Sequence, residues 1–171
     1  NCTLSNNTCR YNKGSGIYTN GAHRNRIIGN SCSENDINGL AMMSSHNNIV
    51  KDNYLDRNKY NGLLSGYCQY NTFSDNFAFE NSRLGDKQYD NFIFFGSSFN
   101  SIQGKEARTA TDKYARYGMY IVSDCTSNLV TNNDLAQSGF FYGLNNASTT
   151  TLKGAGNRGN PVATWSTGDY I

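Results

Sequence analysis

Short apolar runs, alternating with polar positions and closed by Asn or Gly, recur along this chain at a fixed spacing. An Asn-x-apolar-x-x-Asn frame sets the register: Asn25 to Asn30 around Ile27, Asn48 to Asn53 around Val50, and Asn71 to Asn76 around Phe73. The starts at Asn25, Asn48 and Asn71 are equally spaced. The frame steps back to a degenerate start at Cys2, with Leu4 and Asn7 in register. It steps forward to Asn100-Ser-Ile102 and to Asn128 through Asn133 around Val130. A fixed period this short predicts a solenoid, in which each repeat buries its apolar face only against its neighbours.

Aligned on that frame, the repeats resolve into columns. The third position holds Leu4, Ile27, Val50, Phe73, Ile102 and Val130; the eighth holds Cys9, Cys32, Leu55, Ala78, Ala107 and Leu135. A third run follows as Ile17-Tyr-Thr, Leu40-Ala-Met42, Leu63-Leu-Ser, Phe92-Ile-Phe94 and Met119-Tyr-Ile121. A period near two over so few residues is strand-like, and no longer window sustains a helical stripe. Three strands per unit, joined by Asn- and Gly-rich corners, predict an all-β chain, a right-handed parallel β-helix solenoid of about six coils. At ~4.8 Å per coil the tube is roughly 29 Å long. A left-handed β-helix calls for hexapeptide periodicity, leucine-rich repeats for a denser Leu pattern, and propeller blades for about twice the length. The columns Asn7, Asn30, Asn53, Asn76 and Asn133, broken at Lys105, and Asn12, Asn35, Asn58 and Asn81, are expected to form amide ladders at corners, where Asn tolerates a left-handed backbone. A single Pro in 171 residues agrees with sheets that need every backbone N–H.

The length leaves room for one domain, with residues 1–150 as the β-helix and 151–171 as a cap or a lead-in to a further domain. The repeat is already under way at the first residue, so the chain is expected to be a fragment or a mature product. A net charge of +2 and 16% charged residues, with no basic stripe, argue against nucleic acid as a partner. No apolar stretch is long enough for membrane insertion, and no signal peptide is visible. Cys9 and Cys32 share an inward column one coil apart and read as small buried hydrophobes, although their spacing permits a disulfide. Cys68 and Cys125, two coils apart, are too distant to bond. His23 and His46 read as polar corner residues whose column, with Gln69 next, offers a metal no third partner. Neither a metal nor a cofactor is expected.

Two coils break the period. The unit starting at Asn71 runs to Phe99 and the one starting at Asn100 runs to Ser127, both longer than the units before them. Most of the extra length falls between the second and third strands. The inserts, residues 82–90 and 108–117, are expected to project side by side, and solenoid insertions gather on the binding face. They concentrate charge and tyrosine. Asp86, Asp90, Glu106 and Asp112 are the candidate catalytic acids, since paired carboxylates can act as acid and base on a glycosidic bond. Arg83, Lys87, Arg108, Lys113 and Arg116 are candidates to hold anionic sugars, and Tyr89, Tyr114 and Tyr117 to stack on sugar rings. A second feature is an outward apolar strip on the third strands: Tyr18, Ala41, Leu64, Ile93 and Tyr120, with Phe140, Phe141 and Tyr142 nearby. Such a strip calls for a cover, and a subunit contact, as in a homotrimer, is the expectation.

The repeats NRIIGNSCSENDINGLAMMSSHN and NIVKDNYLDRNKYNGLLSGYCQY resemble those of right-handed parallel β-helix proteins of the pectate-lyase-like superfamily. That group includes polysaccharide lyases, mannuronan epimerases, glycoside hydrolases and bacteriophage tailspikes. The resemblance covers roughly residues 2–150. The Tyr-Gly-x-Asp-Pro-His motif of the epimerases is absent, and the ending ATWSTGDYI is similar to tails that follow β-helices in phage and bacterial surface proteins. The resemblance implies a carbohydrate-active enzyme, a tailspike-like lyase or hydrolase, that binds and depolymerises a polysaccharide outside the cell or on a cell or virion surface. The alternative is a non-catalytic structural or adhesive module. A copper-delivery β-helix of periplasmic type is a weaker third reading, because Met42, Met43 and Met119 fall on core strands.

Overall fold

The computed structural model describes residues 1–85, 87–108, 115–136 and 138–159. Within them three parallel sheets wrap one core, and no segment is helical. Sheet A stacks seven strands: Thr3–Ser5, Arg26–Ile28, Ile49–Lys51, Thr72–Ser74, Ser101–Gln103, Leu129–Thr131 and Leu152–Lys153. Sheet B stacks another seven: Thr8–Arg10, Ser31–Ser33, Tyr54–Asp56, Phe77–Phe79, Glu106–Arg108, Asp134–Leu135 and Arg158–Gly159. Sheet C has six, Ile17–Asn20, Leu40–Met43, Leu63–Gly66, Phe92–Phe95, Tyr117–Ile121 and Tyr142–Asn146. The chain is thus a parallel β-helix of the expected three strands per coil.

The pairing registers reproduce the sequence columns. Leu4, Ile27, Val50, Phe73, Ile102 and Val130 align rung upon rung in sheet A. Cys9, Cys32, Leu55, Ala78 and Ala107 do so in sheet B, and Ile17, Leu40, Leu63, Phe92, Met119 and Leu144 in sheet C. From Ile17 onward these rows form one continuous buried core. Each buried Leu or Phe contributes roughly 1.5–3 kcal/mol by leaving water, which is how a thin tube holds its coils together. Sheets A and B run on past residue 150, through Leu152–Lys153 and Arg158–Gly159. Lys153 stands there in register with Val130, so the apolar mark of the frame is missing while its amide, Asn157, persists.

The corners use the left-handed backbone in column. At the A-to-B corner Asn6, Asp52, Asp75 and Asn132 have φ between 52° and 57°, and Gly29 and Gly104 fill the remaining rungs at 66° and 59°. Beside them run amide ladders, in which each Asn side chain donates to the next and also caps a backbone carbonyl. Asn30 Nδ2 donates to Asn53 Oδ1 at 3.0 Å, and Asn53 Nδ2 to Asn76 Oδ1 at 2.8 Å. The second ladder joins Asn35, Asn58 and Asn81 at 3.0 and 2.9 Å. A third joins Asn48, Asn71, Asn100 and Asn128 at 3.0, 3.0 and 2.9 Å across the long coils as well. These amides are buried and fully partnered, so each reports a correctly stacked coil.

Candidate functional site

The long coils carry their inserts at the same corner, between sheets B and C, and the described residues there divide into three groups. Asp90 closes the first insert with an exposure of 0%. Its carboxylate accepts from Arg116 Nη2 at 2.7 Å, Arg116 Nε at 3.1 Å and the Tyr117 backbone N–H at 3.1 Å. Burial pushes this carboxyl up and Arg116 pulls it back down. The candidate acid Asp90 is therefore a seal between consecutive coils, with no face left for substrate. Arg116 in turn lies over the rings of Tyr117 and Tyr120, 5.1 and 5.0 Å from their centroids.

Glu106 and Arg108 lie on a strand and not in the insert. Both belong to a sheet B strand, so the second insert begins after Arg108 and ends before Tyr117, the first residue of a sheet C strand. Glu106 sits in register with Phe77 and Asp134 on sheet B. Arg108 Nη2 bridges Glu106 at 3.2 Å and Asp134 at 2.9 Å, and this hydrogen bond holds the Asp134 carboxyl below the usual carboxylate range. Asp134 was not among the residues expected from sequence, although it stands one long coil beyond Glu106 in the same column. Arg83 turns toward Glu80, 3.6 Å away, at the rim of a groove of about 540 Å³. That groove also holds the ion pairs Arg57–Glu34 and Lys59–Asp36, at 3.5 and 2.9 Å, and its charges answer one another.

The third group faces sheet C. Tyr89 stacks on Tyr60 at 4.3 Å with the planes 5° apart, and Lys87 Nζ lies 3.5 Å from the Phe140 ring centroid. Tyr117 stacks on Tyr142 at 6.1 Å and 2°, and tilts against Tyr120 and Phe141. Tyr60 precedes Tyr89 by the length of one long coil, so column arithmetic is the signal that finds it. Asp86, Asp112, Lys113 and Tyr114 lie outside the described residues.

The same cluster continues into the outward strip. Tyr18, Ala41, Leu64, Ile93 and Tyr120 are register partners along sheet C, with Asn145 after them. Tyr18 is 60% exposed, and the first three coils form a shallow groove of about 530 Å³ that includes Tyr18, Ile37, Asn38, Met43 and Leu64. No strand of sheet C carries an acidic, basic or imidazole side chain. An uncharged aromatic and aliphatic floor, with Arg116 and Lys87 at one margin, can bind through ring faces and hydrogen bonds but offers no acid–base pair among the described residues.

No curated protein matches the chain in sequence. Among solved structures, the periplasmic alginate epimerase AlgG superposes with a TM-score of 0.65 at 14% identity, over 91% of this chain and 39% of its own. The A-module of the mannuronan C-5 epimerase AlgE6 from Azotobacter vinelandii superposes with a TM-score of 0.67 at 13% identity, over 91% of this chain and 51% of its own. At these identities the likeness shows a shared fold, and this chain spans about half or less of either enzyme. The profile of the family described as "Periplasmic copper-binding protein (NosD)" matches residues 1–160, and the chain belongs to that family.

Proposed function

We propose that this chain is a carbohydrate-active β-helix that binds a polysaccharide along the outward face of sheet C, outside the cell or in its envelope. The observation that carries the reading is the uncharged row from Tyr18 to Tyr120, buried at Ala41 and otherwise exposed or half-buried, bordered by an insert corner with cations and stacked tyrosines. Tyrosine faces stack on sugar rings while phenol and Asn groups take their hydroxyls. Support also comes from relatives: both solved structures above are named as epimerases of a polysaccharide, and the family and one of those enzymes are named periplasmic. Epimerisation itself is not proposed, because the Tyr-Gly-x-Asp-Pro-His motif is absent. Cleavage by hydrolysis or β-elimination, in the manner of a tailspike, rests on Asp86 and Asp112. A non-catalytic adhesive module is favoured over it by one observation, the sealing of Asp90 by Arg116.

Affinity electrophoresis against a panel of bacterial and plant polysaccharides tests this. Retardation by at least one polymer, weakened about tenfold when Tyr18 and Tyr120 are both changed to Ala, is the expected result, as about 1.4 kcal/mol of lost stacking gives that factor. Retardation indifferent to those changes but abolished by Glu106→Gln would move the site to sheet B and defeat the proposal. Product release lost in Asp86→Asn with Asp112→Asn, binding being kept, identifies the depolymerase.

A further inference from the structure

Both histidines, all five cysteines and all three methionines of the chain fall within the described residues, so every donor that copper prefers over oxygen can be inspected. We infer that in this member of a family described as copper-binding the histidines are coil-to-coil staples and the buried sulfurs are core residues, and that the described residues hold no resident copper site. The histidines are the strongest candidates and are already engaged. His23 Nδ1 accepts the His46 backbone N–H at 3.1 Å, and His46 Nδ1 accepts the Gln69 N–H at 3.1 Å. The neutral ring that accepts at Nδ1 carries its proton on Nε2. The two rings stack 5.0 Å apart at 6°, which keeps the Nε2 atoms about that far apart. One metal with bonds of about 2 Å spans at most ~4 Å between two nitrogens. The column then continues through Gln69, Ser98 and Thr126, which bring no third imidazole.

The sulfur donors are no better placed: Cys2 is exposed and joins no cluster of three donors, and Met43 is half-buried beside Gly66. Cys32 has 0% exposure, and burial beside Cys9 pushes its thiol far up, away from the thiolate that binds metal. Cys68 Sγ donates to the Gly66 carbonyl at 3.2 Å and Cys125 Sγ to that of Phe94 at 3.3 Å, and burial pushes Cys125 up to about 11. Met42 and Met119 are sealed in the core. Among the described residues no three His, Cys, Asp or Glu side chains converge as a metal site would require.

The test titrates the whole chain with Cu(I) against a copper(I) chelator, and with Cu(II) in a calorimeter, for the native protein, His23→Gln with His46→Gln, and Cys9→Ser with Cys32→Ser. The expected result is copper far below stoichiometric after desalting, equal in all three proteins, and a melting midpoint that copper does not move. About one copper per chain, held against the chelator and lost in either double variant, would overturn the inference. The staple has its own readout. His46→Gln keeps a side-chain acceptor and is expected to melt with the native protein, whereas His46→Ala melts several degrees lower. Equal melting of the two variants would show that the ring's hydrogen bond holds nothing.

Discussion

Lys105 stands where the ladder of Asn30, Asn53, Asn76 and Asn133 requires an amide. Its backbone N–H keeps the pattern, donating to Asn133 Oδ1 at 2.9 Å, but its side chain turns inward and is wholly buried. Nζ has no hydrogen-bond partner among the described residues and lies 5.4 Å from the ring centroids of both Phe73 and Phe92. Burial drives this amine well below the usual lysine range, with Asp75 opposing, so folding disfavours its charged form. The unfolded chain binds the proton up to about pH 10.4, hence it binds more protons than the native state below that point. Stability is expected to rise with pH from the depressed native pKa to that value, by up to about 1.4 kcal/mol per unit. Lys105→Met should remove this slope and raise the melting midpoint at pH 7 by several degrees; urea titrations across pH 6–10 measure both. On the acid side, burial and then His23 lower the pKa of His46. Stability is therefore lost as pH falls from about 6.5 through that lowered value, and His46→Gln should flatten this limb of the same titration.

At the scale of the element, the amide ladders and the long coils set what a substitution does. Asn53 donates to Asn76 Oδ1, Ile27 O and Lys51 O, and accepts from Asn30, so Asn53→Ala orphans groups on both neighbouring coils. A loss of about 2–3 kcal/mol is expected in denaturant unfolding, against a few tenths for the exposed Asn1→Ala. The Asp90–Arg116 seal behaves as a buried pair: Arg116→Gln leaves a carboxylate at 0% exposure uncompensated and should cost about 3 kcal/mol, with Asp90→Asn in the same background returning part of it.

These elements also mark how far the chain could be read directly. Two of the three ladders and the three rows of core residues were legible, because one residue type repeats at one spacing and the spacing is the stacking. The break at Lys105 was visible as a break. The role of Asp90 was not, since its partner Arg116 sits 26 residues away inside an insert whose path no column dictates. Glu106 and Arg108 were misread as loop because the frame marks the eighth position, Ala107, and leaves its neighbours free to look like part of the insert.

For the whole molecule, the outward strip is the feature that still needs a ligand. Sheet C turns a row of ring and aliphatic side chains outward, exposed at Tyr18, half-buried at Leu64, Ile93 and Tyr120 and buried at Ala41, and either a glycan or a second copy of the chain would cover it. Light scattering that gives a trimer whose dissociation follows Leu64→Lys would assign the strip to subunits and leave the insert corner alone for sugar. The most direct measurement is hydrogen exchange with and without the polymer selected by electrophoresis. Slowed exchange confined to Leu40–Met43, Leu63–Gly66, Phe92–Phe95 and the flanking inserts is predicted. Protection centred on Tyr54–Asp56, Phe77–Phe79 and Glu106–Arg108 would contradict the account.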